Sequence, residues 1–497
     1  MLNTVKLSVI ESVETYRAKA NKSLDESKRA SLGQYMSSAA VSELLASMFD
    51  NVDGDIKLLD AGAGVGSLTA AFIARASESA KSIDVSCFEI SDVMRKYLSK
   101  TLEDCELLLK DEKIDFNSKI YEDDFIENSV LQILDKDFKP TFNKAILNPP
   151  YLKIAAQSSE RKLLKKIKFE TGNLYSAFVG LAILLLEDGG ELVAITPRSF
   201  CNGPYFKGFR KLLFEHCSLN KIHVFDSRKS AFKEDKVLQE NVVFHLKKGG
   251  QQSEYVDIYS SNCALSDEKV HLRVRFDEVV SPTNPDKFIH IITNDEEREL
   301  ATSAGALPCS LSDLGLEAST GRVVDFRTRE ALSSEPTADT VPLIYPANIQ
   351  DAQLVWPNGD CKKSQYLIIG EKISSLGVKN GTYVLTRRLT AKEEERRIVA
   401  ALYTGDKTDK EWVGFENKTN YFHALGKPID YDLARGLWIF LNSSIVDRYF
   451  RQFNGHTQVN AADLRILRYP DIHTLKKMSE LYKDNNNFDS VVNQLLF

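Results

Sequence analysis

The chain has 497 residues, of which 43% are hydrophobic, so it is long enough to bury sizeable cores in two or three lobes. Its seven cysteines are scattered without close pairs, which favours reduced thiols and offers no zinc-ligand spacing. The first 20 residues mix charged and apolar types, and no apolar run reaches about 18 residues. These features exclude secreted disulfide-rich and membrane-spanning classes, and we expect a cytoplasmic protein with no metal and no membrane partner.

The net charge of −6 is unevenly distributed along the chain. Residues 1–150 hold 18 basic and 25 acidic residues, residues 151–250 hold 17 and 10, and residues 251–497 hold 29 and 35. Only the middle segment is positive, and it contains the basic stretch 161–168. Such a run is usually the solvated face of an amphipathic helix, but it also suits a phosphate-facing loop.

A strand, a glycine turn and a helix follow one another after a charged helical segment over residues 1–30. The apolar run 56–60 predicts a buried strand that ends in Asp60, residues 61–66 form the turn, and residues 68–76 form the helix. Glycines at 62, 64 and 66 allow positive φ and close approach of a ligand. The spacing G-x-G-x-G differs from the dinucleotide pattern G-x-G-x-x-G, so nucleotide-sugar or NAD binding stays open on the turn alone.

Acidic residues end the next two predicted strands. Glu89 follows the strand 83–88, where doubly wound folds place a carboxylate that accepts hydrogen bonds from ribose hydroxyls. The alternative is a solvated loop carboxylate. Further on, Asp124 is suited to accept from an adenine amino group and Phe125 to lie against the ring, although Asp123 could take the place of Asp124.

Asn148, Pro149, Pro150 and Tyr151 directly follow the apolar strand 144–147. Proline fixes φ, so two in succession make a stiff corner, with an asparagine oxygen and a prolyl carbonyl as preset acceptors. This combination suits a planar amino group whose two hydrogens must both be held, and the tyrosine ring offers a face for a base. The alternative is an ordinary loop opener with a packed aromatic.

The residues after this corner predict the rest of the first lobe and a second one. Strands are predicted over 221–225 and 241–246 as the last two of the sheet, and residues 249–253 form a break. We therefore expect a catalytic domain over residues 31–250, a linker over 251–290 and a separate domain over 291–497. In the last domain the polar segments 319–327, 386–388 and 453–460 are candidate base readers or phosphate clamps.

Together these motifs resemble those of S-adenosylmethionine-dependent DNA adenine-N6 methyltransferases of the gamma class. The matching segments are Leu32–Ser38, Asp60–Gly66, Glu89, Asp124–Phe125 and Asn148–Tyr151. Where the family shows a second aromatic and then Thr-Pro, this chain has Met36, Ser37 and Ser38. The resemblance covers residues 31–248, about half of the chain, and implies an α/β fold: a Rossmann-like, doubly wound class I sheet followed by a mixed α+β target-recognition domain.

The resemblance also implies a set of roles. Asn148 and Pro149 would accept the N6 hydrogens of a flipped-out adenine, Pro150 would stiffen the corner, and Tyr151 would stack on the base. Phe206 would form a second wall, with Tyr205 or a purely structural Phe206 as alternatives. The cofactor S-adenosylmethionine would be held by residues from all of the motifs, namely Tyr35, Ser37, Asp60, Ala61, Gly62, Gly64, Gly66, Glu89, Asp124, Phe125 and Asn148.

The expected partner is double-stranded DNA, methylated by a monomer as the modification component of a restriction-modification system, with a cognate endonuclease that acts separately. Two rivals stay open. The same Asn-Pro-Pro-Tyr chemistry serves RNA bases and the side-chain amide of glutamine, although a large C-terminal lobe disfavours the compact protein-modifying enzymes. A second rival is a non-catalytic DNA-binding specificity subunit, against which the intact Asn148 and Tyr151 argue.

Overall fold

The computed structural model describes residues 2–23, 36–225, 240–264, 266, 269–282, 284–370, 373–391, 393–455, 457–483 and 487–496. The chain divides into two compact units, with the boundary between Asn294 and Asp295. Unit 1 is the part up to Asn294, and unit 2 begins at Asp295. The boundary therefore lies close to the predicted start of the last domain at residue 291.

Unit 1 is built from alternating helices and strands. Its helices are α1 (Leu2–Ser23), α2 (Ala39–Ser47), α3 (Ser67–Ala76), α4 (Asp92–Asp111), α5 (Phe125–Leu134), α6 (Ser159–Lys166), α7 (Leu174–Leu185), α8 (Lys207–His216) and α9 (Phe276–Val279). Its strands are β1 (Gly54–Ala61), β2 (Ala80–Phe88), β3 (Asp115–Tyr121), β4 (Phe142–Leu147), β5 (Leu186–Pro197), β6 (Cys217–Phe225), β7 (Asn241–Lys248), β8 (Tyr255–Ser261) and β9 (Lys269–Arg275).

The strands of unit 1 form one sheet in the order β3-β2-β1-β4-β5-β7-β6-β8-β9. The pairs from β3 to β5 are parallel, and β7 runs antiparallel to both of its neighbours. The strand order reverses between β1 and β4, and a crevice for ligands opens at such a switch point, outside the carboxyl ends of the strands. The predicted doubly wound α/β sheet is confirmed.

Burial on both faces explains why the central strands read as apolar runs. Leu58 and Leu59 of β1 point to opposite faces and are both fully buried. On one face, Val13 of α1, Leu45 of α2 and Phe72 of α3 belong to a single apolar cluster together with Leu58. The first helix is thus part of the core of unit 1, and the segment 24–35 after it lies outside the described residues.

The predicted linker over residues 251–290 is wrong, because this segment supplies two more strands of the sheet. β8 pairs parallel with β6, and β9 pairs antiparallel with β8, so β6 and β7 are not the last strands. In β9 the side chains are mostly exposed, as expected for an edge strand with one solvated face. Its sequence therefore looked like a polar connection.

Unit 2 is of mixed α+β type. Its helices are α10 (Asp295–Gly305), α11 (Ile373–Leu376), α12 (Tyr431–Leu441), α13 (Ser444–Phe453), α14 (Ala461–Ile466), α15 (Ile472–Leu481) and α16 (Phe488–Leu496). Its strands are β10 (Glu317–Thr320), β11 (Leu332–Ser333), β12 (Thr340–Ile344), β13 (Ile349–Gln350), β14 (Gln353–Leu354), β15 (Tyr366–Ile368), β16 (Gly377–Lys379), β17 (Tyr383–Arg387), β18 (Ala400–Tyr403), β19 (Trp412–Phe415) and β20 (Thr419–His423).

Two small sheets organise unit 2. One has the order β10-β20-β17-β18, and the other has the order β11-β15-β12-β19-β16. Between them lies an aromatic core in which the Phe415 ring contacts Tyr383, Tyr403 and Tyr421 at centroid distances of 5.2–5.8 Å. Strands this short are fixed by tertiary packing, since a strand of two to five residues carries almost no periodic signal of its own.

Candidate active site

The glycine turn connects the end of β1 to the start of α3. Gly62, Gly64 and Gly66 have φ values of +80°, +58° and +86°, a region that side-chain-bearing residues rarely adopt. A Cβ at Gly64 would meet nothing within 4 Å, whereas a Cβ at Gly66 would lie 2.8 Å from Leu98 and 2.9 Å from Thr101. Gly64 therefore leaves the backbone open to a ligand, and Gly66 lets α3 pack closely against α4.

A cavity opens at the carboxyl ends of β1, β2 and β4, where the strand order predicts a ligand crevice. Several residues predicted from separate motifs line it together: Ser37, Gly62, Gly64, Glu89, Asp124, Phe125, Asn148 and Pro150. The fold thus brings the glycine turn and the diproline corner to one cavity. In the sequence these two motifs are more than 80 residues apart, and only their order along the chain indicated that they belong to one site.

Glu89 is buried beside the glycine turn, with 5% of its surface exposed. Its carboxylate accepts hydrogen bonds from the Gly64 N–H at 2.9 Å and the Ser91 N–H at 2.7 Å. Burial raises the pKa of Glu89 above its ordinary value, and these two backbone donors oppose that shift. The alternative of a solvated loop carboxylate is wrong, and the geometry suits a carboxylate that accepts from ligand hydroxyls.

Asp123 and Asp124 both line the cavity. The Asp124 carboxylate caps α5, because it accepts from the Glu127 N–H at 2.9 Å. The Phe125 ring is buried and contacts Phe178 at a centroid distance of 5.0 Å. The choice between the two aspartates as the acceptor for a ligand amino group therefore stays a prediction.

The Asn148 amide is held at both ends. Its Nδ2 donates to the Ser37 hydroxyl at 3.0 Å, and its Oδ1 accepts from the Tyr151 hydroxyl at 3.1 Å. The Tyr151 hydroxyl also lies 3.3 Å from the Ile195 carbonyl oxygen. In this arrangement Oδ1 is the accepting end of the Asn148 amide and Nδ2 is the donating end. The bond to Ser37 also connects the corner after β4 to the residues before α2.

The aromatic residues near the corner form a chain of ring contacts. Tyr151 meets Tyr175 edge-on at 6.3 Å, and Tyr175 stacks on Phe206 at 5.2 Å. Phe206 is buried and is the residue before α8, whereas Tyr205 is 81% exposed. Neither Phe206 nor Tyr205 lines the cavity in this arrangement, which agrees with the structural alternative for Phe206, and the wall role stays a prediction.

Several residues predicted to bind the cofactor or the target base do not line the cavity. Asp60 is fully buried, and its carboxylate accepts from the Thr69 hydroxyl at 2.6 Å. Burial raises the pKa of Asp60 to about 7, and the nearby Glu89 also raises it. Asp60, Ala61, Gly66, Pro149 and Tyr151 are not part of the cavity wall, and Tyr35 lies outside the described residues.

Sequence reasoning missed much of the apolar lining. Met36, Met94, Ile90 and Phe178 line the cavity but were not predicted. Ile90 carried a usable signal, since it directly follows Glu89, the predicted ribose ligand, and in the structure it is 56% exposed. The others sit on helices or next to a motif, where an apolar residue is indistinguishable in sequence from core packing.

Among the described residues, one group has the composition of a metal site. Asp50, Glu191 and His245 have ligand atoms within 4.8 Å of one another. Glu191 forms an ion pair with Lys144 at 2.6 Å, and Asp50 forms one with Lys221 at 2.6 Å. Ammonium groups thus neutralise these carboxylates, and none of the five residues lines the cavity.

The described helices include none that is long and apolar enough to cross a bilayer.

The sheet order and the cavity at its switch point define the class I methyltransferase fold. The solved structure of the type IIL restriction-modification enzyme MmeI in complex with DNA shares this fold, with a TM-score of 0.53, 12% identity and coverage of 99% of this chain and 74% of that one. Residues 43–232 match the family described as Eco57I restriction-modification methylase.

Two relatives match over nearly the full length. Type II methyltransferase M.PstI of Providencia stuartii is 56% identical over 97% of this chain and 96% of its own length. Type II methyltransferase M.BsuBI of Bacillus subtilis is 43% identical over 96% of this chain and 95% of its own length. The chain belongs to this family of type II restriction-modification methyltransferases, and it is a DNA methyltransferase.

Proposed function

We propose that the protein transfers a methyl group from S-adenosylmethionine to N6 of an adenine that is rotated out of duplex DNA at a specific sequence. The observation that carries this proposal is the shared cavity: Gly64 and Glu89 line one side of it, and Asn148 and Pro150 line another. A nucleoside cofactor and a planar amino group would then meet at one place, as an in-line transfer requires.

The residues of the cavity fit the cofactor. The open backbone at Gly64 admits the amino-acid end, the buried Glu89 carboxylate accepts from ribose hydroxyls, and Phe125 and Ile90 offer apolar surface to the purine. Asp123 or Asp124 accepts from the purine amino group. When bound, the cofactor supplies a methyl group activated by its positively charged sulfur.

The corner after β4 would hold the target amine. The Asn148 Oδ1 and the Pro149 carbonyl accept the two N6 hydrogens, which favours the geometry in which the nitrogen lone pair is available. Ser37 keeps the acceptor end of the amide directed away from itself, because its hydroxyl accepts from Nδ2. Since Tyr151 donates to the same Oδ1, the arriving adenine displaces that hydroxyl, and the ring is then placed to stack on the base. The proton leaves nitrogen after the methyl group has been gained, so no general base is assigned.

Duplex DNA is the substrate that the surface near this corner suits. The segment 153–173 leaves and rejoins the fold as a closed loop, since the Ile154 N–H donates to Gly172 and the Leu174 N–H donates to Leu152, both at 2.8 Å. It carries α6 and five exposed lysines, one at position 153 and four on or just after α6, at positions 162, 165, 166 and 168. We assign target recognition to unit 2, and we expect a monomer with a separately acting endonuclease partner.

The variant Asn148→Ala tests this proposal. It removes a preset acceptor and should lower methyl transfer to duplex DNA by about 100-fold or more, while cofactor affinity measured by calorimetry is retained. The matched control is Asn117→Ala, because Asn117 is an exposed asparagine of β3 outside the cavity and should transfer at the wild-type rate. Wild-type turnover by Asn148→Ala would show that the assigned corner is not the site of transfer.

A further inference from the structure

Unit 2 contains several polar segments whose residue types are suited to contact bases. Most of these side chains, however, already form ion pairs or hydrogen bonds with other residues of the unit. Arg387 forms an ion pair with Glu394 at 3.0 Å, and Arg388 donates to the Asn417 carbonyl at 3.2 Å. Asn454 is buried, accepts from Arg397 at 2.8 Å and donates to the Gln458 carbonyl. The segments 386–388 and 453–460 are therefore architectural in their described parts.

A polar recess of about 590 Å³ lies at the edge of the sheet formed by β10 and β20. We call it the β10–β20 recess, and its polar wall is formed by Glu317, Ser319, Thr320, Arg322, His423 and Arg465. Glu317 pairs with His423 across the strands, and Ser319 pairs with Tyr421, so all four side chains lie on one face. The residues between them, Ala318 and Phe422, are fully buried on the other face.

Two arginines bring unused donors to the recess. Arg465 fixes its guanidinium on the strand, because Nε and Nη2 donate to the Ala318 carbonyl at 2.9 and 2.6 Å. The Nη1 hydrogens and one Nη2 hydrogen remain for a ligand. Arg322 donates through Nη1 to the Gly377 carbonyl at 3.0 Å and is exposed. Neither arginine has a carboxylate partner among the residues that the structure describes.

Ser319 offers a further donor whose direction follows from its neighbour. The Gly426 N–H donates to His423 Nδ1 at 2.9 Å, so the ring hydrogen lies on Nε2, which donates to the Ser319 hydroxyl at 2.9 Å. The Ser319 hydroxyl hydrogen is then left to donate into the recess. Burial lowers the pKa of His423, which keeps this arrangement neutral.

The charges that line the β10–β20 recess indicate whether its ligand is a phosphate or the edge of a base pair. Two arginines and a hydroxyl would suit a phosphate, but the Glu317 carboxylate, whose side chain is 53% exposed, shares the recess and repels an anion. A guanine presents two acceptors in the major groove, which match an arginine, and its paired cytosine presents an amino donor, which matches a glutamate. A G·C pair offers both next to each other.

We propose that the β10–β20 recess reads one G·C base pair of the target sequence, with Arg465 and Arg322 directed at guanine and Glu317 accepting from the cytosine amino group. Ser319 adds a donor at the same edge. This inference rests on the proposed function, because it takes sequence-specific duplex DNA as the substrate of the protein.

Methylation rates on a set of duplexes test the proposal. The set comprises the wild-type recognition sequence and variants in which each base pair is changed in turn. We expect Arg465→Ala and Glu317→Gln to relax discrimination at one and the same G·C position by about tenfold or more, with discrimination at the other positions unchanged. The control is Arg329→Ala, because Arg329 is exposed in unit 2 but does not line the recess.

Glu317→Gln keeps the test decisive if Arg465→Ala fails to fold, since Glu317 is exposed and the exchange preserves its shape. An equal loss on every duplex, together with a weaker salt dependence of binding, would identify a phosphate contact and overturn the proposal. Unchanged discrimination in both variants would overturn it as well. If instead the wild-type protein methylates no duplex at all, it is the proposed function that fails.

Discussion

At the scale of single residues, the Asn148 amide shows how orientation is fixed before a substrate arrives. An amide has one accepting and one donating end, and only the accepting end can hold an amino hydrogen. Ser37 and Tyr151 each bind one end, at 3.0 and 3.1 Å. Ser37 is 4% exposed, so its hydroxyl has little freedom to turn elsewhere.

Replacement of Ser37 separates its two possible roles. Ser37→Ala removes the acceptor of Nδ2 and should lower kcat for methyl transfer by about 2- to 10-fold, the range of one net hydrogen bond. We expect cofactor affinity to change little and Ser37→Thr to restore the rate, because threonine retains the hydroxyl. If Ser37→Ala weakens cofactor binding with kcat unaltered, the residue acts on the cofactor and does not position Asn148.

At the scale of secondary-structure elements, the glycine turn serves both ligand access and packing. Gly64 leaves space beside the backbone, and Gly66 lies where α3 approaches α4. The Thr101 hydroxyl of α4 donates to the Val65 carbonyl at 2.7 Å, which ties the turn to that helix. A single G-x-G-x-G pattern therefore combines a binding requirement with a packing requirement.

Gly66→Ala and Gly54→Ala make a matched pair, because both residues have positive φ. A Cβ at Gly54 meets nothing within 4 Å, whereas one at Gly66 overlaps Leu98 and Thr101. Gly54→Ala should lower the free energy of unfolding by about 1 kcal/mol through backbone strain alone, and Gly66→Ala should lower it by about 1–3 kcal/mol more. Urea unfolding of both variants measures the difference, and equal losses would refute the packing role of Gly66.

The sequence predicted β1, β2 and β4 because buried parallel strands are apolar runs that end at glycine, acid or proline signals. It failed for β9 (Lys269–Arg275), whose side chains are mostly exposed at the edge of the sheet, and for the neighbouring β8 (Tyr255–Ser261), in which buried residues alternate with partly buried tyrosine and aspartate. In the cavity, the residues that follow strand ends were predictable. Phe178 was not, because it reaches the cavity from the middle of an apolar helix.

At the scale of the whole molecule, the net charge of −6 contrasts with the polyanionic substrate of a DNA methyltransferase. A local positive surface can bind DNA despite the negative net charge, because α6 and its flanks carry exposed lysines beside the corner after β4. Lys162, Lys165, Lys166 and Lys168 form no ion pair with any described residue. We therefore expect this loop of unit 1 to contact DNA phosphates.

Replacement of these four lysines by glutamine should weaken DNA binding, because fewer counterions are released on association. The slope of log K against log salt concentration should fall by about one for each lysine that contacts a phosphate. The control changes four exposed lysines on and just after α4, at positions 96, 100, 110 and 113, and alters the net charge equally. Titrations at several salt concentrations measure both, and equal slopes for the two variants would exclude α6 from the DNA interface.

The central claim concerns which atom receives the methyl group. Long-read sequencing of a methylation-free host that expresses this chain reports the modified base and its sequence context together. We predict N6-methyladenine at one recurring sequence with the wild-type chain, and unmodified DNA with Asn148→Ala. Modified cytosine, or modified adenine that persists in Asn148→Ala, would contradict the account.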